Sequence, residues 1–364
     1  PAGLPGNPAT TTDVGADFGS LNGRLRFSGD YYIRKTTDMY TVGETLPDVF
    51  GASSPKGNYA DMTTRGWEIT LTWRDQFQLA NKPFNYEIRG TLSDYISTID
   101  RYNNKDGKLS DYYAGQRVGE IWGYVTEGLF QSQEEIDNHA DQTLIQSSSQ
   151  HVTYPGDVKI KDLNGDGVID YGNNTLTDHG DKTIIGNSQP RFSYSLNLSG
   201  DWNNFFVSAF FQGVGKQDWY PSSECIFWGQ YNRPYNNLPT WHLGNYWTED
   251  NPDAYLPRYA GYNSSLKETT QTRYLQNVAY IRLKNLQFGY TLPQEIVAKA
   301  KMQNARIYIS AENLWCWSPL YKHTRDLDVT NIYGSDPDLT DGGSGDGQSY
   351  PQMQSISLGV SVTF

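Results

Sequence analysis

Met353-Gln-Ser-Ile-Ser-Leu-Gly-Val-Ser-Val-Thr-Phe364 is the stretch whose reading decides the fold. Ile356, Leu358, Val360, Val362 and Phe364 alternate without a break with Ser357, Gly359, Ser361 and Thr363. A period of two places the apolar set on one face of a strand and the small polar set on the other. Termini of soluble domains usually fray into water. An apolar face carried through to an aromatic residue suits the closing strand of a lipid-facing barrel. A soluble sandwich with a buried last strand is the competing reading, and the rest of the chain weighs between them.

Working outward, composition favours strands. Tyr (27), Trp (10), Phe (14) and Gly (35) are abundant while charged residues make up only 19%, a balance that suits strands joined by turns rather than helices. Mean hydropathy is −0.66, and no apolar run approaches the length of a spanning helix. A barrel stays open to the argument, because its lumen-facing half is polar and masks the signal. The net charge of −12 opposes nucleic-acid binding, which needs a basic footprint. Cys225 and Cys316 have no metal-ligand spacing; both fall in or beside long loops, and the sequence does not decide whether they pair. The chain starts at Pro1 without an initiator Met or a signal peptide, which reads as a processed chain or a piece of something larger.

Eight further stretches repeat the two-faced pattern. Val14, Ala16 and Phe18 precede an Asn22-Gly23 hairpin signal and the run Leu25, Phe27, Gly29, Tyr31, Ile33. Trp67, Ile69, Leu71 and Trp73 oppose Glu68, Thr70, Thr72 and Arg74, with Trp at both ends of the apolar band as in interfacial girdles. The fourth strand carries Phe84, Tyr86, Ile88, Gly90 and Leu92, the fifth Phe192, Tyr194, Leu196 and Leu198, and the sixth Phe205, Val207, Ala209 and Phe211. Val278 to Leu292 and Ala305 to Cys316 supply the seventh and eighth, separated by a short helix that begins at Pro293. Ser132-Gln-Glu-Glu-Ile136 carries a capping-box pattern for another short helix. The nine strands are joined alternately by short turns and by long loops at about 37–60, 102–189, 214–273 and 317–351. Outer-membrane barrels have this asymmetry, with short turns in the periplasm and long loops outside. It places the carboxyl terminus in the periplasm. The fold class expected is all-β, a transmembrane antiparallel barrel.

Two constellations stand out in the loops. Asp162, Asn164, Asp166, Gly167 and Asp170 match positions 1, 3, 5, 6 and 9 of a calcium loop, with the Val168 carbonyl at position 7. Position 12 is Asn173 rather than Glu, so further oxygens for Ca2+ would have to come from Asn173, Asp178 or Asp181; a loop held by Asx turns is the alternative. Trp219, Tyr220, Trp228, Tyr231, Tyr235, Trp241, Tyr246 and Trp247 crowd the third long loop, where rings could stack on sugars or grip peptide side chains. Packing within the loop or docking to a protein partner is the favoured explanation, because interfaces also enrich aromatics. His139, His151, His179, His242 and His323 are scattered. The last loop's acids (Asp326, Asp328, Asp336, Asp338, Asp341, Asp346) lack the unequal environments that acid catalysis needs, so no enzyme is expected.

Beyond these, an ordered set of segments resembles the SusC/RagA-type TonB-linked outer-membrane transporters of Bacteroidetes. It comprises Gly119-Glu-Ile-Trp-Gly-Tyr124, Gly128-Leu-Phe-Gln131, Gly156-Asp-Val-Lys159, Asp162 to Asp170, Ile184-Ile-Gly-Asn187, Pro190-Arg-Phe192, Phe210-Phe-Gln-Gly213, Tyr280 to Leu286, Gly289-Tyr-Thr-Leu292, Glu312-Asn-Leu314 and Phe364. The resemblance implies the carboxyl-terminal portion of a 22-stranded barrel, with the plug domain and first strands absent from this sequence. Nine strands cannot close a barrel of even strand number, so other strands would have to complete it. It further implies TonB-dependent import of an oligosaccharide or oligopeptide under a SusD-like lipoprotein lid, with TonB engaged by the absent amino-terminal part, and an assembly signal at Phe364. The alternative from another class is a non-transporting, surface glycan-binding or adhesin-like β protein.

Overall fold

The computed structural model describes residues 7–43, 51, 55–145, 152–222, 225–231, 236–260, 269–332 and 352–364. Nine strands form one sheet in chain order, each antiparallel to its neighbour. They are β1 (Ala9–Ser20), β2 (Leu25–Val42), β3 (Lys56–Leu79), β4 (Lys82–Arg101), β5 (Arg191–Trp202), β6 (Phe205–Lys216), β7 (Tyr280–Thr291), β8 (Asn304–Trp317) and β9 (Ser355–Thr363). Among the described residues the outer edges of β1 and β9 take no strand partner. All nine expected strands are present, and the short and long connections alternate as expected.

Register shows why the alternation mattered. Residues directly opposite share a face, so Leu25, Trp73, Ile88, Leu198, Ala209, Leu286, Ala311 and Ile356 form one row across eight strands. One residue further along, Arg74, Glu87, Ser199, Ser208, Gln287, Ser310 and Ser357 form a row on the other face. Inside the polar face Arg74 pairs with Glu87, and the Thr91 and Ser195 hydroxyls lie 2.6 Å apart. The apolar face has no packing partner: Val14 is 72% exposed, Ile356 73% and Leu358 76%. A sandwich buries that face against a second sheet; here it is left for lipid.

Aromatic rings border this apolar face. Near the short turns Phe77, Phe84, Trp202, Phe205 and Tyr290 are successive cross-strand partners, with Phe77 and Phe84 centroids 5.0 Å apart and Phe205 and Tyr290 4.7 Å apart. Toward the long loops Tyr31 pairs with Trp67. Trp67 and Phe77 stand on the same strand, a separation of about 33 Å at ~3.3 Å per residue, or about 25 Å after the usual barrel tilt. That is the height of an outer-membrane apolar band.

The strands outrun the expectation at their loop ends. The loop expected at about 37–60 shrinks to 43–55, because β2 and β3 resume pairing at Met39–Ala60 beyond a bulge. Asp38 holds a left-handed φ of 53° there, its N–H donates to Asp61 at 2.8 Å, and Arg101 binds both Asp38 and Asp61. The third loop likewise begins later than expected, since β6 continues to Lys216 opposite Arg191. Two turns use left-handed pairs, Ala80-Asn81 and Asn203-Asn204, the type I′ geometry that matches strand twist. Helix α1 (Gln133–Asp137) is capped by Ser132, which accepts the Glu135 N–H, while the Glu135 carboxylate reaches back to the Gln131 N–H rather than to that of Ser132. Helix α2 (Gln294–Lys299) follows Pro293 as expected.

Candidate functional site: interlocked loops at one end of the sheet

The buried core lies in the long loops, not between sheets. Trp219, Cys225, Phe227, Trp228, Tyr231, Leu256, Tyr274 and Val278 of the third loop cluster with Leu320, Leu327, Val329 and Ile332 of the fourth. Of the expected ligand-gripping aromatics, Trp219 is 1% exposed and Trp228 and Tyr231 are fully buried. These three are therefore core residues and offer no ring face for stacking. Trp228 Nε1 donates to the Ser222 carbonyl at 2.9 Å, and the Tyr231 hydroxyl to the Pro257 carbonyl at 2.8 Å, which satisfies their polar ends. Tyr220, Trp241 and Tyr246 pack on the periphery of the cluster, half-buried. Trp247 is half-buried and donates to Gln131 at 3.0 Å, tying the third loop to the second. Tyr235 lies outside the described residues, as do His151, Asp336, Asp338, Asp341 and Asp346.

Long-range ion pairs lock the loops together. Arg258 of the third loop donates Nε to Asp157 of the second at 2.7 Å and stacks over Tyr154 at 4.6 Å. Burial pushes the Asp157 carboxyl above its ordinary value, with Arg258 opposing. Arg282, on the polar face of β7, donates to Asp328 of the fourth loop at 2.6 Å and to Gln352 at 2.9 Å. Burial raises the Asp328 carboxyl, but the Gln352 and Thr330 N–H groups, the Thr330 hydroxyl and Arg282 together outweigh it and hold it below the usual range. Tyr255 stacks on His323 at 4.2 Å, joining third and fourth loops. His242 is fully buried against Trp241, and its Nε2–H donates to the Phe227 carbonyl at 3.0 Å, while Nδ1 is buried with no partner. Burial lowers its pKa to about 4.

The second loop carries the calcium-like spacing. Asp162 accepts the Gly165 N–H at 2.6 Å and the Gly167 N–H at 2.9 Å; Asn164 accepts from Asp166, Asp166 from Val168, and Asp170 from Gly172. Asp181, fully buried, accepts the Leu163 and Asp170 N–H groups. The Asn164, Asp166 and Asp170 contacts reach two residues on and are Asx turns, whereas Asp181 ties Leu163 and Asp170 from 18 and 11 residues away. Among the described residues no three His, Cys, Asp or Glu side chains are grouped to hold a metal ion; the expected donors also include the Asn164 side chain and the Val168 carbonyl. Cys225 and Cys316 are not joined by a disulfide; Cys225 Sγ accepts the Phe227 N–H at 3.5 Å and Cys316 Sγ the Tyr321 hydroxyl at 3.6 Å.

Several segments noted in the sequence meet in space. Glu120–Gly123 pairs with Thr183–Asn187, and Thr126–Leu129 with Val158–Ile160, over a small core of Tyr124, Ile160 and Ile169. A Cβ on Gly123 would stand 2.6 Å from the Thr270 carbonyl, so only glycine allows the second loop to approach the third there. Asp157, Arg258, Arg282 and Asp328 were not singled out as partners in the sequence, because pairs 101 and 46 residues apart leave no local pattern.

No family model matches the chain. It is 26% identical over 376 residues to TonB-dependent receptor P3 of Formosa agariphila, covering 97% of this chain and 34% of that protein. To TonB-dependent receptor SusC of Bacteroides thetaiotaomicron it is 22% identical over 373 residues, covering 98% of this chain and 32% of that one. The fold matches a chain of the RagAB peptide transporter with a TM-score of 0.68 at 18% identity, over 98% of this chain and 35% of that one. The chain is similar over nearly its whole length to TonB-dependent receptors, SusC among them. Its nine-stranded sheet is a portion of their outer-membrane barrel fold, and it spans about a third of the length of the curated receptors it matches. Of the segments noted in the sequence, those between Gly119 and Asn187 build the second loop through its paired short strands, and Phe210–Gly213, Tyr280–Leu286 and Glu312–Leu314 lie in strands of the sheet.

Proposed function

We propose that this chain supplies the carboxyl-terminal wall and outer loops of a TonB-dependent importer of oligosaccharides or oligopeptides. The observation that carries this reading is the two-faced sheet, apolar and unpacked outside, polar inside, with its loop core gathered at one end. In lipid the free edges of β1 and β9 would leave backbone N–H and C=O groups unsatisfied, so the barrel is completed by further strands. A ligand is held between loops and a SusD-like lid and released inward when TonB displaces a plug carried by another part of the protein. The short turns and the end of β9 face the periplasm. The chain does no covalent chemistry; its relatives are named as receptors and a transporter. A soluble, adhesin-like β protein would leave an apolar band of this extent exposed to water.

Outer-membrane fractionation tests the wall. The protein should resist salt and chelator and leave the membrane only with detergent; monomeric solubility without detergent sinks the proposal. Uptake by a deletion strain, offered oligosaccharides and oligopeptides in parallel, assigns the substrate class, and loss of neither uptake refutes import. A calcium ion at Asp162, Asn164, Asp166, Val168 and Asp170 is a separate proposal carried by the spacing alone. Each carboxylate oxygen has a second lone pair beyond the turn contacts, so calorimetric titration should show Ca2+ binding that Asp162→Ala abolishes. Flat titrations of both proteins remove the site.

A further inference from the structure

On the apolar face of the sheet, three exposed cations stand together just beyond the Tyr31–Trp67 aromatic pair. Arg65 is opposite Ile33, and Ile96 continues that row on β4. Two residues further toward the loops, Lys35 is opposite Thr63, Thr63 is opposite Thr98, and Arg117 bridges to Thr98. Lys35, Arg65 and Arg117 are all exposed. Along the strand Arg65 and Lys35 lie roughly 7 and 13 Å past the aromatic row, or about 5 and 10 Å in height after the barrel tilt, which puts Arg65 within a headgroup layer of about 5–7 Å and the Lys35 backbone at its outer margin.

The neighbouring carboxylates are already occupied. Asp94 takes Arg191 through two contacts at 2.6 and 2.5 Å, Asp38 and Asp61 take Arg101, Asp100 accepts the Thr63 hydroxyl, and Glu120 accepts the Tyr113 hydroxyl and the Arg117 N–H. Among the described residues none of them lies within ion-pair distance of Lys35, Arg65 or Arg117. Beside the row, where β4 and β5 part above Ser93–Ser193, a cavity of 490 Å³ is lined by Arg117, Arg191 and Lys216, by Glu120 and Asp218, and by Ile96 and Ile184. Arg191 lies against Asp94 and Lys216 against Asp218, so of its three cations Arg117 is the one without an ion pair among the described residues. Toward the same end of β8 the sheet presents Trp315 and Trp317 instead. The cations therefore mark one sector of the wall.

We propose that Lys35, Arg65 and Arg117 seat the phosphorylated headgroup of an outer-leaflet lipid against β2–β4. The site rests on the membrane reading above. Long basic side chains lay their stems on apolar surface and carry their charge to the interface, and each cation near an anionic membrane surface contributes about a fivefold change in affinity.

Native mass spectrometry of the receptor containing this chain, purified in detergent, tests the seat, with phosphatidic acid and phosphatidylcholine of equal acyl length as probes. The wild type should retain phosphatidic acid about a hundredfold more tightly than a K35Q/R65Q/R117Q variant, while both hold phosphatidylcholine alike. Equal retention of phosphatidic acid overturns the proposal. Displacement of the lipid by inorganic phosphate also overturns it, since the site would then be a simple anion site. Heat-modifiable gel migration reports whether each barrel is folded. Should the triple variant be unfolded, Arg65→Gln against Arg65→Lys is read instead, with about a fivefold loss expected only in the former. A wild type that forms no barrel in detergent fails the membrane reading and removes the seat with it.

Discussion

His242 shows what a single side chain contributes to the loops. Its Nε2–H is committed to the Phe227 carbonyl and its Nδ1 is buried without a partner, so a second proton would place a cation among Phe227, Tyr231 and Trp241. Its folded pKa of about 4 lies below the ordinary 6.5. Between those values the unfolded state binds the proton and the folded state does not, so stability falls as pH drops from 6.5 toward 4. The full effect is on the order of 3 kcal/mol. The protection factors of third-loop amides, exchange rates corrected for their intrinsic pH dependence, should fall over that window in the wild type and stay level in His242→Phe; an unchanged fall in the variant would place the titration elsewhere. The Arg282–Asp328 pair works in the same direction, over the more acidic window of a carboxylate. Its carboxyl is depressed, so its contribution is present at neutral pH and is lost as pH falls through the lowered folded pKa.

At the scale of the element, one strand serves two solvents. In β9, Leu358 belongs to the exposed apolar face and Ser357 to the row that runs through Ser310 and Gln287. Leu358→Arg should therefore cost about 2–4 kcal/mol in refolding into lipid vesicles, and Ser357→Arg much less. Equal costs at the two positions would mean that the sheet does not separate lipid from water. Strand existence was legible because a period of two is a local property, readable in Trp67 to Arg74 or Ile356 to Phe364 without knowing any neighbour. Strand ends were not. The bulge between Thr36 and Tyr40 is settled by Asp38, Asp61 and Arg101 meeting across three strands, and no window of sequence contains all three.

For the whole molecule the proposals turn on assembly. If the end of β9 is read by the barrel-assembly machinery, Phe364→Asp should lower outer-membrane levels several-fold while leaving ligand affinity in the assembled fraction unchanged; wild-type levels of the variant would refute that role. Phe364 is 80% exposed and has no packing duty whose loss would mimic the effect. The sequence by itself determined the all-β class, the nine two-faced strands, the alternation of turns and loops and the likeness to SusC-type receptors, because each is written in periods and short segments. Tertiary structure alone decided that Trp219, Trp228 and Tyr231 form a core, that Asp157 with Arg258 and Arg282 with Asp328 fasten the loops, and that Lys35, Arg65 and Arg117 share one sector of the wall. An aromatic or charged residue reads the same in sequence whether it is buried, paired or bare, and only the neighbours that the chain brings to it from far away settle which.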